Sequence, residues 1–252
     1  MHRPVRALSR GLALIGELNA NGPSSAQQLA KKTGLNRTTC YRLLQTLRDD
    51  GFVTFDESSA VFSLTPQVRM LSEGASTRDL ASQAALPPMF SLLEEVSWPS
   101  DFGVFDLGSV LIRESTHSFS PFSIHRSMVG RRRSLVRSAL GYAMLSAATP
   151  ALRQEMLDIT ASLVPEDAAL AQDRRFIGRI LAKTRKDGYA SSIGESEQGI
   201  SAIALPIRGA GPVLGSLNIV FFSSAMAPAV AARRYLRPLK RAVGEIERRW
   251  RT

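Results

Sequence analysis

Residues 24–47 constrain this chain more than any other stretch. They read SSAQQLAKKTGLNRTTCYRLLQTL, which predicts two short helices joined by a tight turn. Ser24 and Ser25 are good N-caps for the first helix, and Gln27 and Gln28 stand three residues on, as a capping box requires. Gly34 favours a left-handed end to that helix, and Asn36 is suited to cap the second one.

The second helix has two chemically different sides. Its apolar residues recur at i, i+3, i+4 and i+7, which is one stripe on a 3.6-residue period: Cys40, Leu43, Leu44 and Leu47. The opposite side carries side chains suited to phosphates and base edges. The predicted DNA-binding residues are Ser25, Arg37, Thr38, Thr39, Tyr41, Arg42 and Gln45. We interpret the pair as a helix-turn-helix with its recognition helix second; a small helical hairpin with a solvated polar face is the alternative.

The flanking sequence favours the winged form of this motif. A helix over residues 5–18 precedes the pair, with Leu8, Leu12 and Ile15 as its apolar face and Leu14 and Leu18 widening that face. Two β-rich segments, residues 52–55 and 60–65, follow the recognition helix. The tip between them carries two acids that phosphates would repel, so we do not expect the tip to contact the DNA backbone closely.

Composition narrows the partners. The chain of 252 residues has 32 lysines and arginines against 22 acids, a formal net charge of +10, which favours a polyanionic partner. A membrane surface is the rival partner, but no run of about 18 apolar residues exists and the first residues lack a signal-peptide core. The single cysteine, Cys40, excludes an intrachain disulfide and a multi-cysteine zinc site. We therefore expect a cytoplasmic protein without a membrane partner.

A second domain follows a small, polar run at residues 73–77. The predicted domains are residues 1–67, a linker helix and hinge at 68–79, and residues 80–252. In the last, helices are predicted at 80–96 (interrupted by two prolines), 138–147, from 150, 174–186 and 228–250, and strands at 101–107, 110–116, 189–193, 200–207 and 213–222. Gly108 and Ser109 are the predicted hairpin turn. The fold class is therefore α+β, a winged helix-turn-helix followed by an α/β sensor module on an antiparallel sheet.

No catalytic constellation is found. The motifs of hydrolases, metalloproteases and P-loop proteins are missing from the sequence. His117 and His125 lack a third metal ligand of matching spacing, and we predict no catalytic site, no metal and no cofactor. Arginines 131–133, with Arg126 and Arg137, form a basic cluster without an intervening acid. That cluster is a solvated face, a nucleic-acid patch or a clamp for an anionic small molecule.

The chain resembles a known family, the IclR family of bacterial transcriptional regulators. The segments that carry the resemblance are residues 8–12, 34–35 and 41–47 in the first domain and 138–145, 188–189, 195 and 203–207 in the second. Within the family, the sequences at residues 129–132 and 223–226 look most like the corresponding segments of activators of hydroxyphenylpropionate degradation. The resemblance implies a GAF-like effector-binding second domain, a homodimer or dimer of dimers, and palindromic double-stranded operator DNA.

The resemblance also implies an effector site for a small, often aromatic, carboxylic acid. By position, its pocket residues are Ala139, Leu140, Ser192, Ala202, Asn218 and Val220. The apolar character of Ala202 and Val220 favours a ligand with an aromatic ring. A buried carboxylate needs a donor, and Arg113, Arg126 and Asn218 are the candidates.

We therefore predict a ligand-responsive transcriptional regulator that is not an enzyme. It is expected to activate an aromatic-acid catabolic operon, with RNA polymerase as a candidate partner. The alternatives are a small-acid enzyme that carries a winged interaction module, and a ligand-independent repressor or architectural DNA binder.

Overall fold

The computed structural model describes residues 5–71, 80–125, 127–195, 197–209 and 213–251. Two compact units are present, one of residues 1–79 with 125–127 and the other of residues 80–124 with 128–252. The expected hinge at 73–77 and the candidate Arg126 lie outside the described residues.

The first unit is a winged helix-turn-helix. Its elements are α1 (Arg6–Asn21), α2 (Ala26–Thr33), α3 (Arg37–Asp49), β1 (Val53–Asp56), β2 (Val61–Leu64) and a 3-10 helix (Pro66–Arg69). The two strands are antiparallel. Ser25 and Gln28 form the capping box of α2, and Gly34 ends that helix at φ +68°. The Asn36 side chain accepts the Thr39 N–H at 3.0 Å and so caps α3. Of the two predicted N-caps of α2, the structure uses Ser25 and not Ser24, and the predicted roles of Gly34 and Asn36 are confirmed.

The apolar face predicted for α1 is confirmed at Leu14 and Leu18 and is wrong at Leu8 and Leu12. Leu14 and Leu18 are buried in the core of this unit, whereas Leu8 is 63% exposed and Leu12 is 56% exposed. The helix carries leucine or isoleucine around much of its circumference, so periodicity alone does not choose the buried side. The side that packs is the one that meets Leu29, Cys40, Leu44 and Phe62.

The second unit contains one six-stranded sheet and several helices. Its elements are α4 (Leu80–Val96), β3 (Asp101–Asp106), β4 (Ser109–Ser115), a 3-10 helix (His117–Phe119), β5 (Arg132–Ser134), α5 (Ala139–Ala147), α6 (Pro150–Leu163), α7 (Pro165–Gln172), α8 (Arg174–Asp187), β6 (Ala190–Ile193), β7 (Ile200–Arg208), β8 (Val213–Phe222) and α9 (Pro228–Arg251). The strands pair antiparallel in the order β5-β4-β3-β8-β7-β6. None of the helices described is long and apolar enough to span a membrane.

Several local predictions for this unit need correction. Helix α4 runs through its two prolines instead of stopping at them. The hairpin turn is Leu107–Gly108, both at positive φ (+45° and +78°), one residue earlier than predicted. Strand β5 and helix α7 were not predicted; β5 spans only three residues and is defined by its pairing with β4, which local sequence does not reveal.

The sheet is covered on both faces. Leu217, Ile219 and Phe221 point to one face and pack with residues of α4 and α9. The alternate residues point to the other face, where Val220 packs beside small side chains of α5. This second face also carries the predicted effector residues of β6, β7 and β8, and we call it the effector face, defined by Ser192, Ala202, Asn218 and Val220.

Helix α5 packs very closely against the backbone at Leu135, which precedes it in the chain. A Cβ atom added at Gly141 would lie 2.0 Å from the Leu135 carbonyl oxygen. That contact is with backbone, which cannot swing aside as a flexible side chain can. Gly141 is therefore required for the position of α5.

We expect Gly141→Ala to destabilise the protein by about 1–3 kcal/mol, because the added methyl group must displace the chain at Leu135. Gly178→Ala is the matched control, since Gly178 is also helical but has nothing within 4 Å of an added Cβ. That change should be neutral or stabilising. Chemical denaturation monitored by circular dichroism measures both, and equal stabilities of the two variants would contradict the packing argument.

Candidate DNA-binding surface and effector site

Helix α3 presents a polar side to solvent within the first unit. Arg37, Thr38, Tyr41 and Arg42 are exposed there, and Thr39 and Gln45 are half-buried. Cys40 and Leu44, on the other side of the helix, are fully buried and anchor it. Burial raises the pKa of the Cys40 thiol, which accordingly acts as a small core residue. The separation of sides predicted for the recognition helix is confirmed.

Two of the predicted DNA-binding residues have structural duties as well. The Tyr41 ring packs edge-on to Phe62 of β2, with ring centroids 6.3 Å apart, while 48% of the residue stays exposed. The Ser25 hydroxyl accepts the Gln28 N–H at 3.3 Å in the capping box. Tyr41 is thus oriented by the wing strand, and Ser25 is held at the start of α2.

The tip of the wing is organised around a carboxylate. The Ser58 N–H and hydroxyl donate to Asp56 at 2.9 and 2.7 Å, and the Ser59 hydroxyl donates at 2.5 Å. These hydrogen bonds, with that from the Ser59 side chain foremost, lower the pKa of Asp56 to about 2. The tip therefore carries ionised acid at neutral pH, in keeping with our prediction that it makes no close phosphate contact.

The effector face is a row of cross-strand neighbours. Ser192 lies opposite Ala202, and Ala202 lies opposite Val220. The Ala139 N–H at the start of α5 donates to the Ser192 hydroxyl at 3.2 Å, so that helix begins directly on the row. The structure thus brings together Ala139, Ser192, Ala202 and Val220, and Leu140 is buried beside them in the core that includes Val110.

Asn218 lies at the next position along this face. It is only 5% exposed, and it stands opposite Ala204. Its carboxamide oxygen accepts the Asp101 N–H at 2.7 Å. Its amide nitrogen donates to none of the described residues, and it is therefore a candidate donor to a ligand carboxylate.

Of the two arginine candidates for the effector carboxylate, the structure describes Arg113. It is half-buried and is the extra residue of a bulge in β4, between Ile112 opposite Gly103 and Glu114 opposite Phe102.

The arginines of the basic cluster lie close to carboxylates in the folded protein. Arg132 pairs with Asp106, Arg133 with Glu197 at 3.4 Å, and Arg137 with Asp167 at 2.8 Å. These acids lie 26 to 64 residues away in sequence, so the local pattern did not reveal them.

Sequence reasoning missed a buried polar pair beside the effector face. His117 Nε2 lies 3.5 Å from Asp101 Oδ2, with the two side chains 4% and 3% exposed. The other ring nitrogen of His117 lies 2.6 Å from the Ser123 hydroxyl. Within the described ranges, no group of three or more potential metal-ligating side chains is found. His117 therefore faces a carboxylate and a hydroxyl.

The larger cavities of the structure do not lie at the effector face. Cavities of about 510, 450 and 360 Å³ are lined elsewhere by described residues. The first lies between residues such as Arg153, Tyr189 and Lys240, and the third beside Arg133 and Arg137. None of the predicted effector residues lines any of these three.

Comparison with known proteins decides the family. Residues 7–57 match the family model described as the IclR helix-turn-helix domain, and residues 75–248 match the one described as bacterial transcriptional regulator IclR C-terminal. The chain belongs to the IclR family. It is a DNA-binding transcriptional regulator, and its family and its structural neighbours are regulators, not enzymes.

Individual relatives are distant but similar over most of their length. The glycerol operon regulatory protein of Streptomyces coelicolor is 28% identical, over 82% of this chain and 81% of that protein. The p-hydroxybenzoate hydroxylase transcriptional activator of Acinetobacter baylyi is 24% identical, over 96% and 90%. An IclR homolog from Microbacterium hydrocarbonoxydans, solved in complex with 4-hydroxybenzoate, has the same fold (TM-score 0.63, 21% identity, covering 97% of this chain and 99% of that chain).

We expect Arg42→Ala to weaken operator binding by about 1–3 kcal/mol if the guanidinium reads a base, with relaxed specificity at one position. If it contacts a phosphate, binding weakens evenly across sequences and the salt slope falls by about 1. Fluorescence anisotropy at several salt concentrations separates the two cases.

Arg179→Ala is the charge-matched control for this measurement. Arg179 is exposed on α8 in the second unit, so its loss removes the same formal charge away from the recognition helix. Operator affinity should stay within error of wild type. Equal losses for the two variants would mean that only net charge matters and would contradict the placement of α3 on the DNA.

Proposed function

We propose that this IclR-family regulator activates an aromatic-acid catabolic operon in response to a small aromatic carboxylic acid bound on the effector face. The helix α3 residues Arg37, Thr38, Thr39, Tyr41, Arg42 and Gln45, with Ser25, approach the major groove of the operator. Ala139, Leu140 and the effector face form the ligand site, with Arg113 and Arg126 as further candidates for the ligand carboxylate.

The residue types on the effector face are the observation that supports an aromatic acid as the ligand. Ala202 and Val220 offer apolar surface in one cross-strand row, and Asn218 adds an amide donor one step along the face. A ring packs favourably on the apolar part, and an oxygen of the ligand accepts a hydrogen bond from the amide donor. A small polar acid such as glyoxylate has no ring to pack on the apolar row.

Two of the relatives support the same class. One is named as an activator of p-hydroxybenzoate hydroxylase, and another was solved with 4-hydroxybenzoate. The name of a third refers to glycerol, so the family as a whole does not fix the ligand. The composition of this chain's own effector face therefore carries more weight than any single relative.

The ligand must act through two conformations. An effector shifts DNA affinity, or the contact with RNA polymerase, only if it binds one conformation more tightly than the other. We place the hinge in residues 68–79, between the DNA-binding domain at 1–67 and the effector-binding domain at 80–252.

A second copy of the chain completes the DNA-binding form. Leu8 and Leu12 lie on one side of α1, Val5 immediately precedes the helix, and the three residues are 63%, 56% and 68% exposed in that order. An apolar stripe of this kind on a helix fits burial against a symmetry-related copy. A two-fold dimer would read half-sites about 34 Å, or a multiple of that, apart.

The decisive experiment is a footprint on the DNA beside the protein's own gene, followed by transcription in vitro. We expect protection of a palindromic site, and a change in protection or an increase in transcription with 4-hydroxybenzoate or hydroxyphenylpropionate but not with glyoxylate. No response to any aromatic acid would favour a ligand-independent regulator. A fall in transcription on ligand addition would contradict the activator assignment.

Asn218→Leu should abolish the effector response and leave operator binding intact. It also removes the acceptor of the buried Asp101 N–H, which costs about 1–3 kcal/mol of stability. Ile219→Val is the control, because that side chain packs on the opposite face of the sheet. Removal of one methylene group there should lower the stability of the protein by about 0.5–1.5 kcal/mol. The control should keep the response. Loss of response in both variants would point to destabilisation instead of a ligand contact.

Leu8→Asn should weaken dimerisation by tenfold or more, since burial of a leucine side chain contributes about 1.5–3 kcal/mol. Sedimentation velocity over a concentration series measures the effect. Leu107→Asn is the matched control, because Leu107 is 64% exposed and lies in a turn at positive φ, which asparagine tolerates. A wild-type dimer constant for Leu8→Asn would contradict the stripe as the dimer surface.

A further inference from the structure

A buried polar cluster adjoins the effector face and is unused in the function proposed above. Its centre is Asp101, the first residue of β3, whose N–H donates to the Asn218 side chain at 2.7 Å. Phe102, the next residue, packs into the core on the opposite face of the sheet. Since side chains alternate along a strand, Asp101 belongs to the effector side. A ligand that reaches the amide of Asn218 is therefore also next to Asp101.

The Asp101–His117 pair is costly to bury. Both side chains are less than 5% exposed, and Nε2 and Oδ2 are 3.5 Å apart, longer than a good charge-assisted hydrogen bond. Burial alone would raise the pKa of Asp101, but the neighbouring His117 and the Ser115 hydroxyl hold it below its ordinary value. A buried Asp–His pair of this geometry contributes little net stability compared with apolar side chains of the same size.

Two oxygens of this region have no hydrogen-bond partner among the residues that the structure describes. They are Asp101 Oδ1 and the Ser216 hydroxyl, and both are buried. Ser216 precedes Asn218 by two residues on β8, so it lies on the same face of the sheet. A buried carboxylate oxygen without a donor is unfavourable, and a ligand that brings a donor removes that penalty.

We propose that Asp101, held by His117, accepts a hydrogen bond from a ring hydroxyl of the effector, so that the regulator selects hydroxylated aromatic acids over their unsubstituted counterparts. This inference rests on the proposed function. An ionised carboxylate only accepts hydrogen bonds and repels a second carboxylate. The hydroxyl of the ligand therefore lies against Asp101, at the Asn218 end of the effector face, and the acid group points away from both residues.

The test uses the purified full chain and two matched ligand pairs, 4-hydroxybenzoate with benzoate and hydroxyphenylpropionate with phenylpropionate. Isothermal titration should give at least one pair in which the hydroxylated acid binds about tenfold or more tightly, as expected when a buried charged acceptor loses its donor. Asp101→Asn should bring that ratio towards one without abolishing binding of the unsubstituted acid.

Asp167→Asn is the matched control for the variant. Asp167 is also a buried carboxylate, 1% exposed and paired with Arg137, but it is not on the effector face. This control should keep the hydroxyl preference. Asp101→Ser serves as a second variant if Asp101→Asn does not fold, and melting temperatures show which variants are folded.

The outcomes separate the two proposals. If aromatic acids bind and neither pair shows a preference for the hydroxylated member, or if the Asp101 variants keep the preference, the role of Asp101 is overturned and the aromatic effector stands. If no aromatic acid binds to the wild-type protein, the proposed ligand class and the role of Asp101 fall together.

Discussion

The close approach of helix α5 to its surroundings governs the second unit. Gly141 lies where a methyl group would meet the Leu135 carbonyl, and small residues line both sides of the contact with the sheet: Ala139, Ala143, Ala190, Ala202 and Ala204. Small side chains let the helix begin directly on β6 to β8. The first N–H groups of α5 are then available to side chains such as Ser192 and Ser138. Larger residues here would separate the helix from the face that carries Asn218.

The two units solve different physical problems. The first must hold one helix in place while leaving a polar side exposed, and it does so with side-chain caps at the starts of α2 and α3 and a small leucine-rich core. The second must tolerate polar groups inside a two-sided sheet. It therefore buries hydrogen-bonded side chains such as Asn218 and Thr160, and it also buries Asp101 with an oxygen that no described residue satisfies. Unsatisfied polarity on one face is compatible with a ligand site, whereas it would only weaken a recognition helix.

The predictable parts of the fold are those decided locally. Capping by Ser25 and Asn36, the left-handed Gly34 and Gly188, and the start of α6 at Thr149 depend on neighbours a few residues away, and the structure agrees with each. The long strands β7 and β8 have enough alternating or continuous apolar residues to be recognised. The resemblance to a family then supplied the order of the domains and the positions of the effector face.

The parts that sequence did not predict depend on distant partners. The exposed side of α1 is chosen by Leu29 and Phe62, and the acids that pair with the basic cluster come from other strands and helices. Asp101 and His117 are sixteen residues apart in sequence and meet only because β3 and β4 form a hairpin, with Asp101 opposite Ser115. In sequence, His125 is the nearest candidate metal ligand to His117, whereas in the structure the carboxylate beside His117 is that of Asp101.

Net charge was a weaker guide to DNA binding than the helix pattern. Residues 1–79 carry ten basic and seven acidic side chains, whereas the remainder carries 22 basic and 15 acidic ones, so most of the excess lies outside the DNA-binding unit. Three of the arginines that contribute to it, Arg132, Arg133 and Arg137, are engaged by carboxylates. The acidic wing tip further reduces the general attraction of the first unit for phosphates. DNA affinity must then depend on where a few cations stand on α3, and this is why removal of Arg42 and removal of Arg179 are expected to differ although they change the total charge equally.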